Sequence, residues 1–130
     1  MPRIVPFYAS LLAALYIFLS LRVIRIRRRD RIALGDANNP KLQRAIRVHA
    51  NFAEYVPLAL ILAAFVELQQ SSPLIIHFIC LALIMGRVVH AYGVSQEKED
   101  YKLRVVSMAL TFGAIATSAL QLLRSFLFEL

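Results

Sequence analysis

The sequence predicts an all-α protein of one domain, residues 1–130: a membrane-spanning four-helix bundle with antiparallel, up-down topology. Three observations lead there. Hydrophobic residues make up 59% of the chain, against roughly 45–50% in a soluble globular domain. The apolar residues fall into four blocks, Pro6 to Ile24, Val48 to Leu68, Pro73 to Tyr92 and Val105 to Leu123. Each block has about the 17–25 residues with which a helix crosses the hydrocarbon layer. Over most of their length the blocks lack the polar stripe that every helix of a water-soluble bundle carries.

The first helix, about residues 5–28, follows Arg3 and ends in "RVIRIRRRDR". Its apolar run is long, has no clear small-x-small cleavage site and closes on a stop-transfer cluster, so it reads as a retained span and not a secretory signal. The next connection holds "ALGDANNP", whose Gly, Asp, Asn and Pro favour turns. Pro40 and Lys41 open the second helix, about residues 41–68. Pro57 lies inside it, where it removes a backbone hydrogen bond and tends to bend the axis. "QQSSP" is short enough to make helices two and three antiparallel neighbours, and Pro73 suits the first turn of the third helix, about residues 73–95. Gln96 to Asp100, within "VSQEKEDYK", read as a solvated face before the fourth helix, about residues 102–127.

The net charge of +7 could suggest nucleic acid, but most Lys and Arg residues flank membrane segments. Arg25, Arg27, Arg28, Arg29, Arg31 and Lys41 lie between spans one and two, Lys98 and Lys102 between three and four, and "ELQQSSP" has no base. The positive-inside rule then puts both termini away from the cytoplasm, with no nucleic acid partner expected. Short loops and compact length suit a bacterial inner-membrane protein. The single Cys80 leaves no intrachain disulfide and reads as a small buried hydrophobe.

The unusual feature is a polar stripe entering the second span. In "RAIRVHANFAEYVPLAL", spacings of three, four and seven place Arg44, Arg47, Asn51, Glu54 and Tyr55 on one helical face. Glu54 lies about 10 Å deeper than Arg47 at 1.5 Å per residue, and a carboxylate there needs a partner. On helix three, "GRVVHAYG" offers Arg87 at similar depth, with His90 one turn away, so a Glu54–Arg87 ion pair is expected. Arg44, Arg47, His49, Asn51, Tyr55, His90 and Arg104 then remain, with more donors and positive charge than one carboxylate can use. That surplus is suited to an anion. A different reading takes His49 and His90 as axial ligands of a haem.

These motifs resemble the MAPEG family, the membrane-associated proteins of eicosanoid and glutathione metabolism. The resemblance runs over nearly the whole chain: four spans, a basic first loop, "RAIRVHANFAEYVPLAL", "GRVVHAYG" and "LRVVSM". It implies a homotrimer in the lipid bilayer, with glutathione as co-substrate bound between subunits near the cytoplasmic side and no metal. By position, Arg47, Asn51, Glu54 and Tyr55 match the family's glutathione contacts on helix two, with His49 another polar position there. Arg27 and Arg28 match basic residues ending helix one, Arg87 and His90 match positions on helix three, and Arg104 matches the arginine that stabilises the glutathione thiolate. The chain departs from the pattern at Val94, where other members of the family carry Tyr, and at Val105, where prostaglandin E synthase has Ser.

The resemblance therefore implies a glutathione transferase acting on hydrophobic electrophiles, with peroxidase activity toward lipid hydroperoxides as a related capacity. The alternative is a non-catalytic trimer that binds glutathione or another anionic thiol. The chemistry suits the residues: arginines fork onto carboxylates, Glu54 can receive an ammonium, and a guanidinium near sulfur favours the thiolate.

Overall fold

The structure, a computed structural model, describes residues 2–96 and 100–128. Residues 97–99, in the expected solvated connection, lie outside the described residues. Four helices account for almost all of the rest: α1 (Ile4–Asp30), α2 (Pro40–Leu68), α3 (Pro73–Ser95) and α4 (Tyr101–Phe128). Each is long and apolar enough to cross a membrane.

Contacts between helices establish the up-down topology. The start of α1 meets the end of α2 through Glu67 and the start of α3 through a Tyr8–His77 hydrogen bond of 3.1 Å. At the opposite end, Arg22 of α1 donates to Ser95 of α3, and Arg44 of α2 donates to the Gln96 carbonyl. Helices α3 and α4 pack most extensively, α2 touches the other three, and α1 and α4 share no contact among the described residues. Helix α3 likewise touches the other three, so α2 and α3 together form the centre of the bundle, and α2 runs unbroken through Pro57.

The helix ends have local causes. The N-terminus of α1 has no cap of its own; the Glu67 carboxylate from α2 accepts the N–H groups of Arg3, Ile4 and Val5 at 2.7, 2.7 and 2.8 Å. Those donors would otherwise be orphaned, and a negative charge there complements the helix dipole. Arg31 closes α1 in the left-handed conformation (φ 53°), and Ile32 N–H reaches back to the Arg27 carbonyl at 3.0 Å. Asn39 caps α2 by accepting from Lys41 and Leu42 N–H, with Pro40 in the first turn. The Asn39 amide also donates to Asp30 at 2.7 Å, tying the end of α1 to the start of α2.

Burial departs from that of a soluble bundle. Large apolar side chains such as Phe18, Leu58, Phe65, Phe78 and Leu120 point outward, whereas Arg87, His90, Ser107, Thr111 and Ser118 are buried. That distribution fits a lipid solvent, where polar groups turn toward the bundle interior. Along α2 the buried positions 42, 45, 48, 52, 56, 59, 63 and 66 keep helical spacing, with Ala59 and Ala63 allowing close approach.

Helices α3 and α4 approach closely at Gly86. A Cβ there would lie 2.8 Å from Thr111 Oγ1 and 2.9 Å from the Ser107 carbonyl, too near for either to remain in place. Gly113, by contrast, has nothing within 4 Å of the corresponding position. We expect Gly86→Ala to destabilise the bundle by about 1–3 kcal/mol through overpacking. Gly113→Ala should be neutral or stabilising by up to about 1 kcal/mol, through helix propensity alone. Thermal unfolding in detergent micelles checks this pair, and equal midpoints would contradict the packing.

Candidate functional site

The polar face of α2 opens into a cavity of about 270 Å³ between α2, α3 and α4. Gln43, Arg44, Arg47 and Asn51 line it from α2, His90 and Val94 from α3, and Arg104 from α4. Helical spacing on α2 delivers the first set, because positions 43, 44, 47 and 51 recur every three or four residues along one side. On α3, His90 and Val94 are one turn apart and both buried, while Tyr92 points away and is exposed. Three guanidinium groups and no carboxylate line the cavity among the described residues. Guanidinium donors from α2 and α4 are chemically suited to an anion.

His90 has a defined polarity. The Ser107 hydroxyl carries one proton and donates it to the Arg104 carbonyl at 2.8 Å. His90 Nδ1, 3.2 Å from Ser107 Oγ, must then be the donor of that second bond. Its Nε2 is left as a lone-pair acceptor at the cavity wall.

Beneath the cavity lies Arg87, with only 2% of its surface exposed. Its Nη1 donates to Asn51 Oδ1 at 2.7 Å, and its Nη2 to Thr111 Oγ1 at 2.5 Å and Met108 Sδ at 3.6 Å. Its guanidinium carbon is 6.0 Å from the centroid of the Tyr55 ring, and that ring in turn packs edge-on against Phe112 at 5.5 Å. Arg87 Nε is buried and has no partner among the described residues.

The expected Glu54–Arg87 ion pair is absent; the ion pair within 4.0 Å among the described residues is Arg29–Asp30. Arg87 turns toward α4, where Thr111 takes one arm of its fork, and meets α2 at Asn51, three residues before Glu54. Glu54 is exposed near the middle of α2. Equal depth did not make the two residues neighbours, because depth leaves open the rotation of α3 about its axis.

Other predicted residues lie elsewhere. His49 is on the α1 side of α2, with Nε2 3.0 Å from Ser20 Oγ and its ring 4.8 Å from that of Tyr16. His49 and His90 thus address α1 and α4 respectively, which removes a shared haem within one protomer. Among the described residues no group of three or more His, Cys, Asp or Glu could hold a metal. Arg27 donates to the Gly35 carbonyl at 2.8 Å, bracing the first loop, and lines with Arg28 a separate recess near Arg31 and Ile32.

Residues that sequence reasoning passed over complete the picture. Ser107 and Thr111 fix His90 and Arg87, and Gln43 extends the cavity wall. Arg22 was hidden within the first apolar block, and with Ser95, Lys41, Arg44 and Asn39 it lines a second polar cavity at the same end of the bundle. The one signal that could have found Ser107 and Thr111 is their spacing of four on a span otherwise rich in aliphatic residues.

Comparison with known proteins agrees with this architecture. Inner membrane protein YecN of Escherichia coli strain K12 is 40% identical over 86 residues, 66% of this chain and 66% of that protein. YecN of Escherichia coli O6:H1 aligns with the same identity and extent. The alignment thus spans just under two thirds of those relatives. With its four spans, this relationship identifies a multi-pass inner-membrane protein. The sequence profile of the MAPEG family matches residues 5–124, almost the entire bundle, and the chain belongs to the MAPEG family.

Proposed function

We infer that the protein is an integral membrane glutathione transferase, which activates the glutathione thiol for attack on hydrophobic electrophiles dissolved in the bilayer. The observation that carries this reading is the convergence of Arg44, Arg47, Asn51, His90 and Arg104 on one cavity. Glutathione presents two carboxylates, an ammonium and a thiol. Arginines suit the carboxylates through bidentate bonds, and His90 Nε2 supplies an acceptor for an N–H or S–H.

Arg104, at the start of α4 and on the cavity wall, is the residue that would activate sulfur. A free thiol titrates near 8.5, and lowering that value by two units takes about 2.7 kcal/mol of preference for the thiolate. A partly desolvated guanidinium can provide it. The same thiolate could reduce a lipid hydroperoxide, which makes peroxidase activity a second outlet of one site.

The site is completed by assembly as a homotrimer. Glu54 stands exposed on the surface of one protomer, in mid-span. A carboxylate at that depth costs several kcal/mol without a counter-group, so its partner comes from outside the protomer. Arg28 likewise lies exposed and away from the cavity of its own chain, whereas His49 and Arg27 would have to exchange their bonds to Ser20 and the Gly35 carbonyl to reach that of a neighbour.

Val94 favours a second reading, a non-catalytic trimer that binds glutathione or a related anionic thiol. It stands at the cavity wall, 8% exposed, and offers no donor to sulfur. Calorimetric titration with glutathione, followed by ultraviolet absorbance of the thiolate and turnover of a chlorinated nitroaromatic, separates the two. Binding without a thiolate signal or turnover selects the second reading, and no binding sinks both.

Two variants sharpen the assignment. Arg104→Ala should still bind glutathione, yet lose about ten- to a hundredfold in turnover below pH 7, because the thiol returns toward its free value near 8.5. The deficit should shrink as pH rises past that value, where the thiol ionises unaided, and Arg104→Lys should recover part of it. A pH-independent deficit would move the activating role elsewhere. Val94→Tyr should raise glutathione affinity or thiolate fraction about tenfold by adding one hydrogen bond to a charged group. A folded variant with neither change would show that a hydroxyl at position 94 does not reach the ligand.

A further inference from the structure

We propose that Arg87 is a positioning residue and not a ligand contact: it turns the Asn51 amide so that Asn51 meets the bound molecule only as a donor. The inference rests on the cavity being the glutathione site, and it deepens that reading by assigning Asn51 to an oxyanion, such as a carboxylate.

The geometry leaves little freedom. Arg87 Nη1 lies 2.7 Å from Asn51 Oδ1. In a side-chain amide the oxygen and nitrogen can be exchanged by a half-turn, and placement by shape alone would leave their identity open. Arginine, however, has five N–H donors and no acceptor, so the amide atom facing it must be the oxygen. The nitrogen, on the other branch of the same planar group, is then directed away from Arg87. Asn51 lines the cavity whereas Arg87 does not, and the Asn51 amide nitrogen has no partner among the described residues.

Arg87 is itself held against rotation. Thr111 and Met108 of α4 take its Nη2, and Gly86 lets α4 come close enough for them to do so. Thr111 donates its own proton to the Ser107 carbonyl at 3.0 Å, so its oxygen is committed to accepting from Arg87. Donation therefore runs outward from Arg87 both ways, through Thr111 to the Ser107 carbonyl on α4 and to Asn51 Oδ1 at the cavity wall. The fold leaves Arg87 Nε buried and, among the described residues, unpaired to keep this arrangement.

Asn51→Asp tests the assignment. It preserves an acceptor for Arg87, replaces the donor with a carboxylate and puts negative charge where the anion should bind. The full-length variant in detergent micelles should have a thermal midpoint equal to or above that of the unchanged protein, because its carboxylate pairs with the guanidinium. It should bind glutathione at least about tenfold more weakly, the loss of one charge-assisted hydrogen bond. In an Arg87→Met background the same Asn51→Asp substitution should lower the midpoint instead. Should Arg87→Met fail to fold, Arg87→Lys serves as the background: one ammonium cannot hold Asn51 and Thr111 with the planar fork, so the gain from Asn51→Asp should be smaller.

Unchanged glutathione affinity in Asn51→Asp would overturn the donor role. An equal thermal effect of Asn51→Asp in both backgrounds would overturn the positioning role of Arg87. If the unchanged protein binds no glutathione, the functional reading fails, while the thermal comparison still decides whether Arg87 pairs with the side chain at position 51.

Discussion

A guanidinium buried at the meeting of three helices governs the architecture around the cavity. Removing such a group from water costs several kcal/mol, and the cost is tolerated only where its donors are matched. Arg87 finds Asn51 on α2 and Thr111 and Met108 on α4 while being carried by α3, so one side chain correlates the rotation of all three helices. Gly86 contributes by being small: the backbone of α4 comes within a distance that no Cβ would permit. Packing of small residues and hydrogen bonding between helices thereby act together at one place, as they must where lipid gives no hydrophobic drive for helix association.

From that anchor the cavity follows. With α2, α3 and α4 held in register, the side of α2 bearing Arg44, Arg47 and Asn51 faces His90 and Val94 on α3 and Arg104 on α4. Ser107 orients His90 in the same way that Thr111 orients Arg87, through a hydroxyl whose own proton is committed to a main-chain carbonyl. The polar groups beneath the cavity are thus arranged before a ligand arrives. On the proposed reading, an anion would meet an Asn51 amide already oriented, and less reorganisation would oppose binding there.

Helix α1 stands apart from this core of three. It contacts α2 and α3 but not α4 among the described residues, and its N-terminus depends on a carboxylate lent by α2 at Glu67. Its inner surface forms with α2 an apolar cavity of about 360 Å³ beside Tyr16 and Phe52. At the cytoplasmic-facing end predicted from charge, the interactions of Asn39 with Asp30 and of Arg27 with Gly35 replace the regular backbone pairing that a loop lacks. Glu54, exposed near the middle of α2, has no counter-charge among the described residues.

The sequence by itself determined the four spans and their alternation, because length, hydropathy and the placement of turn residues are local properties. It also determined which side of α2 is polar, since helical periodicity fixes the angular relation of Arg44, Arg47 and Asn51 whatever surrounds them. His90, Val94 and Arg104 were legible as members of the same site through family motifs, and the structure brings them to that cavity. Only the tertiary structure decided which partner each polar group takes. His49, two residues from Arg47, turns to Ser20 on α1; Arg87 passes over Glu54 for Asn51 and Thr111. Those choices depend on the rotation of each helix about its axis and on how closely α3 approaches α4. Such quantities are set by packing between distant segments, and spacing along one chain does not encode them.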